Sequence, residues 1–110
     1  MEQTRFARLI VMKPKRGKSR KFVEMFKSEI ASTAGEIAGL RRMYLLAPVD
    51  KKGEFIVLSL WDDKKSAEAY AKSARDDAYS AKLDRVLKKM KVRKCTVESH
   101  IVGDASKGEG

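Results

Sequence analysis

Residues 54–61 read EFIVLSLW, and the twelve that follow, 62–73, read DDKKSAEAYAKS. Side chains alternate across a strand. The first segment therefore sets Phe55, Val57 and Trp61 on one face and Ile56, Leu58 and Leu60 on the other, with only Ser59 interrupting the apolar pattern. Helices can cover one face of such a sheet, and a second apolar face needs a cover of its own. A second copy of the chain is the economical cover, so a homodimer is expected. Asp62 and Asp63 stand where a carboxylate accepts the free N–H groups of a helix's first turn. A lysine- and alanine-rich helical pattern follows.

Working outward, TRFARLIVMK alternates loosely and predicts a strand over 5–12. Pro14 and Gly17 punctuate a basic turn. Phe22, Met25, Phe26, Ile30 and Thr33 recur at helical spacing and predict a helix over 18–34, with Gly35 placed to stop it. LRRMYLLA predicts a second strand over 40–47, joined to 54–61 by the turn PVDKKG. Helix is expected from 63 to 90, broken near 73–77, with Tyr79, Leu83, Val86, Leu87 and Met90 along one face of its second piece. VRKCTVESHIV predicts the last strand over 92–102. The order is βαββαβ, an α+β ferredoxin-like unit with an antiparallel four-stranded sheet. One domain over 1–103 and a frayed tail over 104–110 are expected.

The chain has 110 residues, 43% hydrophobic and 36% charged, with a formal net charge of +10. No apolar stretch approaches the roughly 20 residues that span a bilayer. The opening residues lack the pattern of a signal peptide. One cysteine, Cys95, excludes an intramolecular disulfide and a multi-cysteine metal site. A cytoplasmic, reducing location without membrane contact is the expectation. The positive balance favours anionic partners without specifying nucleic acid.

The stretches RLIVMKPKRGKSRKFVEMF, GLRRMYLLAPVDKKGEFIVLSLW and WDDKKSAEAYAKS together resemble the antibiotic biosynthesis monooxygenase domains, over about residues 5–102. The resemblance implies a dimeric α+β barrel whose sheets meet across the dimer. It also implies a pocket between sheet and helices, and a small-molecule monooxygenase activity that in some members needs no cofactor. Its substrate would be aromatic or quinol-like. Laid on the haem-degrading members, the chain puts Ala7 at their asparagine, Tyr70 at their helical tryptophan and Ser80 at their haem-ligating histidine. All three differ, and serine is no ordinary haem ligand, so haem degradation of that type is not expected. The alternative function is a non-catalytic binding protein for haem, another anionic small ligand or a polyanion.

Candidates for the wall of an aromatic pocket are Phe26, Tyr44, Trp61, Tyr70 and Tyr79, of which Tyr70 comes first. Trp61 also reads simply as a core or interface ring whose indole N–H needs one partner. His100 is the only histidine and has no metal-binding pattern around it, and no bound metal or cofactor is expected. Cys95 reads as a small buried hydrophobe. No phosphate loop or paired-carboxylate pattern is present. In this topology the first loop, the central hairpin and the start of the last strand share one pole. Lys15, Arg16, Lys18, Lys51, Lys89 and Lys91 are thereby candidates for anion binding. Without interleaved aromatic rings, nucleic-acid contact would be weak, non-specific and salt-sensitive.

Overall fold

The computed structural model describes residues 4–104, except for the side chains of 74–79. β1 (Phe6–Pro14) leads to α1 (Ser19–Glu29) and a 3-10 turn over Ala31–Glu36. β2 (Leu40–Leu46) and β3 (Phe55–Trp61) form the central hairpin, followed by α2 (Lys64–Ala71) and α3 (Ala74–Val86). β4 (Leu87–Thr96) begins at the residue after α3 ends. The sheet order is β2-β3-β1-β4 and every neighbouring pair is antiparallel. This is the ferredoxin-like α+β arrangement expected from the sequence. Among the described residues, no helix is long and apolar enough to cross a membrane.

Register decides which side chains share a face, because residues directly opposite in an antiparallel pair point the same way. Phe6, Arg8, Ile10 and Met12 stand opposite Trp61, Ser59, Val57 and Phe55. These rows face the helices. Phe22 of α1 is fully buried and packs its ring 5.1 Å from that of Phe55. The apolar interior under the helices falls into two clusters. One is built on Ile10, Met12, Phe22, Ile30, Val57, Leu83 and Val86, the other on Phe6, Ile37, Trp61 and Ala67. The opposite face carries Ala7, Leu9, Val11, Ile56, Leu58 and Leu60 at its centre, and among the described residues no helix covers it. It is flanked by Tyr44 and Leu46 on β2 and by Lys89, Lys91, Arg93 and Cys95 on β4.

Three expectations are corrected. The last strand begins at Leu87, so Leu87 and Met90 belong to β4 rather than to a helical face. Nine-residue pairing with β1 outweighs the helical spacing of the apolar residues. α1 stops at Glu29, five residues before the predicted end. In the turn that follows, the Ser32 and Thr33 hydroxyls donate to the carbonyls of Ser28 and Glu29, the local side-chain bonding that makes such residues poor helix interiors. Cys95 is exposed instead of buried, because it stands opposite Ala7 on the uncovered face of an edge strand. The tail expected to fray lies outside the described residues apart from Asp104.

Candidate active site

Between the two apolar clusters lies a polar seam. Phe6 belongs to one cluster, Ile10 and Met12 to the other, and Arg8 falls between them on the same face of β1. Opposite Arg8 on β3 is Ser59, itself between Val57 and Trp61. The Ser59 hydroxyl donates to the Arg8 carbonyl at 3.3 Å and accepts from Trp61 Nε1 at 2.9 Å. These two bonds explain how a serine is tolerated at 3% exposure. Trp61 is 1% exposed and its ring lies 5.7 Å from that of Tyr70. It therefore backs Tyr70 from within the core, and its N–H is satisfied by Ser59.

α2 positions Tyr70. The Asp63 carboxylate caps the helix by accepting from Ser66 N at 2.8 Å. That bond holds its pKa below the ordinary aspartate value. Ala67, one turn before Tyr70's neighbour, is buried against Trp61's cluster and fixes the face the helix presents. At the other end of the sheet-facing helix pair, Ser80 and Leu83 of α3 approach from above.

The result is a cavity of about 140 Å³ under the helices. Among the described residues, Ile10, Met12, Met43, Val57 and Leu83 supply apolar wall, Phe26 and Tyr70 supply rings, and Arg8 and Ser80 supply polar groups. Tyr70 also borders a wider, open groove of about 450 Å³ against Ile37, Ala38, Lys65 and Ser66. Tyr70 thus stands between a partly closed cavity and a wider groove open to solvent.

Of the residues proposed for an aromatic wall, the structure brings Phe26 and Tyr70 together here. Trp61 supports the site from behind without lining it. Tyr44 stands on the uncovered face, 44% exposed, and lines neither this cavity nor the outer groove. The Tyr79 side chain lies outside the described residues. Ser80 lines the cavity, whereas Ala7 faces the other side of the sheet. Arg8 is the residue that the sequence reading missed. The signal was present: a cation in phase with Phe6, Ile10 and Met12, where alternation calls for an apolar side chain.

His100 and Cys95 are exposed and neither borders the cavity. Among the described residues no group of three His, Cys, Asp or Glu side chains could hold a metal ion. The basic candidates share one end of the sheet, since Pro14 pairs with Leu87 and Met12 with Phe55. Lys15 lies beside the start of β4, its N–H donating to the Val86 carbonyl. Lys15, Arg16 and Lys18 lie in the β1–α1 connection, while Lys51 is in the β2–β3 turn, 3.5 Å from Glu54. β2 and β4 are three strand spacings apart, about 14 Å. Lys89 stands beside Lys13, and Lys91 beside Val11, on the uncovered face. The centre of that face is aliphatic.

The antibiotic biosynthesis monooxygenase family model matches residues 5–82. The chain belongs to that family. Similar solved structures include a protein of unknown function from Nitrosomonas europaea (16% identity, TM-score 0.78, covering 92% of this chain and 96% of that one). Another, from Caulobacter crescentus, is described as a "putative antibiotic biosynthesis monooxygenase" (14% identity, TM-score 0.78, covering 88% and 92%). A third is a Shewanella oneidensis protein (15% identity, TM-score 0.76, covering 87% and 93%). At these identities the likeness is one of fold. No curated protein matches the chain.

Proposed function

We propose that the chain is a small-molecule monooxygenase acting, without a bound cofactor, on a quinol-like single ring held between sheet and helices. The observation that carries this reading is the size and lining of the cavity under the helices. Its volume of about 140 Å³ is close to that of an engineered apolar cavity, about 150 Å³, that takes benzene. Sites for drug-sized ligands run to about 300–1,000 Å³. A fused polycycle or haem is too large for it, and a single ring is not.

The chemistry needs little from the protein beyond placement. An ionised quinol passes electrons from ring carbon to dioxygen, a carbon–oxygen bond forms, and loss of water leaves a hydroxyquinone. One quinol and one dioxygen give one hydroxyquinone and one water. The apolar wall and the Phe26 ring exclude bulk water. The Tyr70 and Ser80 hydroxyls are the groups able to donate to the departing oxygen. A homodimer through the uncovered face accompanies this reading, since that face is apolar at its centre.

A second reading, a binding protein without turnover, is favoured by one specific observation. Among the described residues the cavity wall contains no carboxylate or imidazole to act as a base. Oxygen-electrode measurements with monocyclic quinols separate the two. Uptake above autoxidation, one dioxygen per quinol, and its loss in Leu83→Trp, which fills the cavity, support the enzyme. Binding with no uptake leaves the second reading.

A further inference from the structure

Arg8 lines the cavity under the helices on one side. On its other side it lines a smaller space of about 150 Å³ with Phe6, Ala67, Glu68, Lys72 and Lys94. It sits at the seam between two apolar clusters, half-buried, in a row whose other members are core. A guanidinium only partly open to water gains from an anion or acceptor that meets it. Among the described residues no side chain pairs with it. The nearest carboxylate in those linings, Glu68, lies 4.0 Å from Lys64 and 4.0 Å from Lys94, and forms no ion pair with Arg8. The Ser59 hydroxyl spends its proton on the Arg8 carbonyl, and one of its lone pairs on Trp61. Arginine cannot shed its charge to escape this position. The cation is therefore in place before any ligand arrives.

We propose that Arg8 is the polar anchor of the cavity and that the ligand is a single aromatic ring bearing one ionised oxygen substituent, a carboxylate or a phenolate. The ring fills the space between Phe26, Tyr70 and Leu83, and the oxygen meets the guanidinium. A planar donor fork suits both oxygens. This rests on the cavity reading above and adds its charge selection. In the quinol reaction the same contact favours the ionised substrate, the form that reduces dioxygen.

The test compares three probes at neutral pH: benzoate, toluene and acetate, titrated calorimetrically. Trp61, the sole tryptophan and in ring contact with Tyr70, gives a parallel fluorescence readout. Benzoate is expected to bind at least tenfold more tightly than toluene or acetate. Arg8→Gln removes that preference and leaves toluene unchanged; Arg8→Lys retains part of it. The phenolate arm uses 4-nitrophenol, whose ionised form is coloured. Its bound pKa falls below that in water in the native chain and returns in Arg8→Gln. Toluene binding with neither anion preferred overturns the anchor and leaves the cavity reading standing. No ring bound at all overturns both. A preference that survives Arg8→Gln assigns the anchor elsewhere. The native chain's discrimination shows whether an anion is selected at all, and Arg8→Lys, which keeps a cation in the row, carries the assignment to Arg8 if Arg8→Gln folds poorly.

Discussion

Gly39 enters β2 with φ of +81°, and a Cβ built there would lie 2.3 Å from Ser66 Oγ and 2.4 Å from Ser66 Cβ. Gly39→Ala therefore carries two penalties that can be separated. The left-handed backbone costs an L-residue about 1–2 kcal/mol. The collision with the first turn of α2 costs about 1–3 kcal/mol more, the range for overpacking a filled site. The chain contains its own control: Gly17 has φ of +78° but nothing within 4 Å of a built Cβ. Gly17→Ala should show the backbone cost alone. Urea titration of both variants, with Gly39→Ala/Ser66→Gly and Ser66→Gly completing a double-mutant cycle, should give a total of about 2–5 kcal/mol for Gly39→Ala. The coupling with Ser66 should equal the excess over Gly17→Ala. Equal losses at Gly39 and Gly17, with no coupling to Ser66, would exclude a collision between the two residues. The contact also bears on the site, because Ser66 and Tyr70 are one helical turn apart and both border the outer groove.

Trp61→Phe should cost about 2–4 kcal/mol, from lost volume and from a donor removed beside buried Ser59; a chemical denaturation midpoint unchanged from the native chain would contradict the role given to the indole N–H. Asp63→Ala should lower the thermal midpoint at neutral pH. Since the folded-state pKa lies below the ordinary aspartate value, the cap's contribution is present above that value and is lost as pH falls through the depressed one, so the two melting curves should converge in acid. Sedimentation at micromolar concentration should show about twice the 12.4 kDa chain mass, and Leu58→Asp, at the centre of the uncovered face, should shift it to one; a native chain sedimenting as a stable monomer rules out the dimer. Haem with a reductant should lose no absorbance beyond a catalase-protected control, and regiospecific ring opening would contradict the reading of Tyr70 and Ser80.

What the sequence disclosed depended on whether one periodicity stood alone. In EFIVLSLW the alternation is nearly unbroken, and β3 appears where it was expected. In LDRVLKKMKVRK two periods compete. Leu83, Val86, Leu87 and Met90 fit a helix, while lysines at 88, 89 and 91 mask the alternation of an edge strand that solvent can reach on both sides. Only the partner strand resolves that conflict, and β1 is over seventy residues away in sequence. The site was half legible for a related reason. Tyr70 follows from the family pattern and Phe26 from the face of α1. Tyr44 was grouped with them by residue type, yet it stands on the far side of the sheet. Arg8 could have been found from phase alone, by asking which residue breaks the buried row of β1.

The direct passage from Val86 to Leu87 makes the two elements mechanically one piece. With no connecting residue, the angular position of α3 dictates which side chains of β4 point toward it. Lys15 N closes the joint by donating to the Val86 carbonyl at 2.7 Å. Just past the joint the pairing steps from Pro14 opposite Leu87 to Lys13 opposite Lys89, so the irregularity at Lys88 already sets the phase of the strand. A single residue inserted at 86/87 would turn β4 over, bringing the even-numbered side chains Met90 and Val92 to the uncovered face and driving Lys89, Lys91 and Arg93 under the helices. The eight residues between β2 and β3, in contrast, carry exposed Val49, Lys51 and Lys52 and could lengthen without such consequences. The molecule therefore has one junction where length is information and another where it is not. Diversity among chains of this architecture should concentrate at the second.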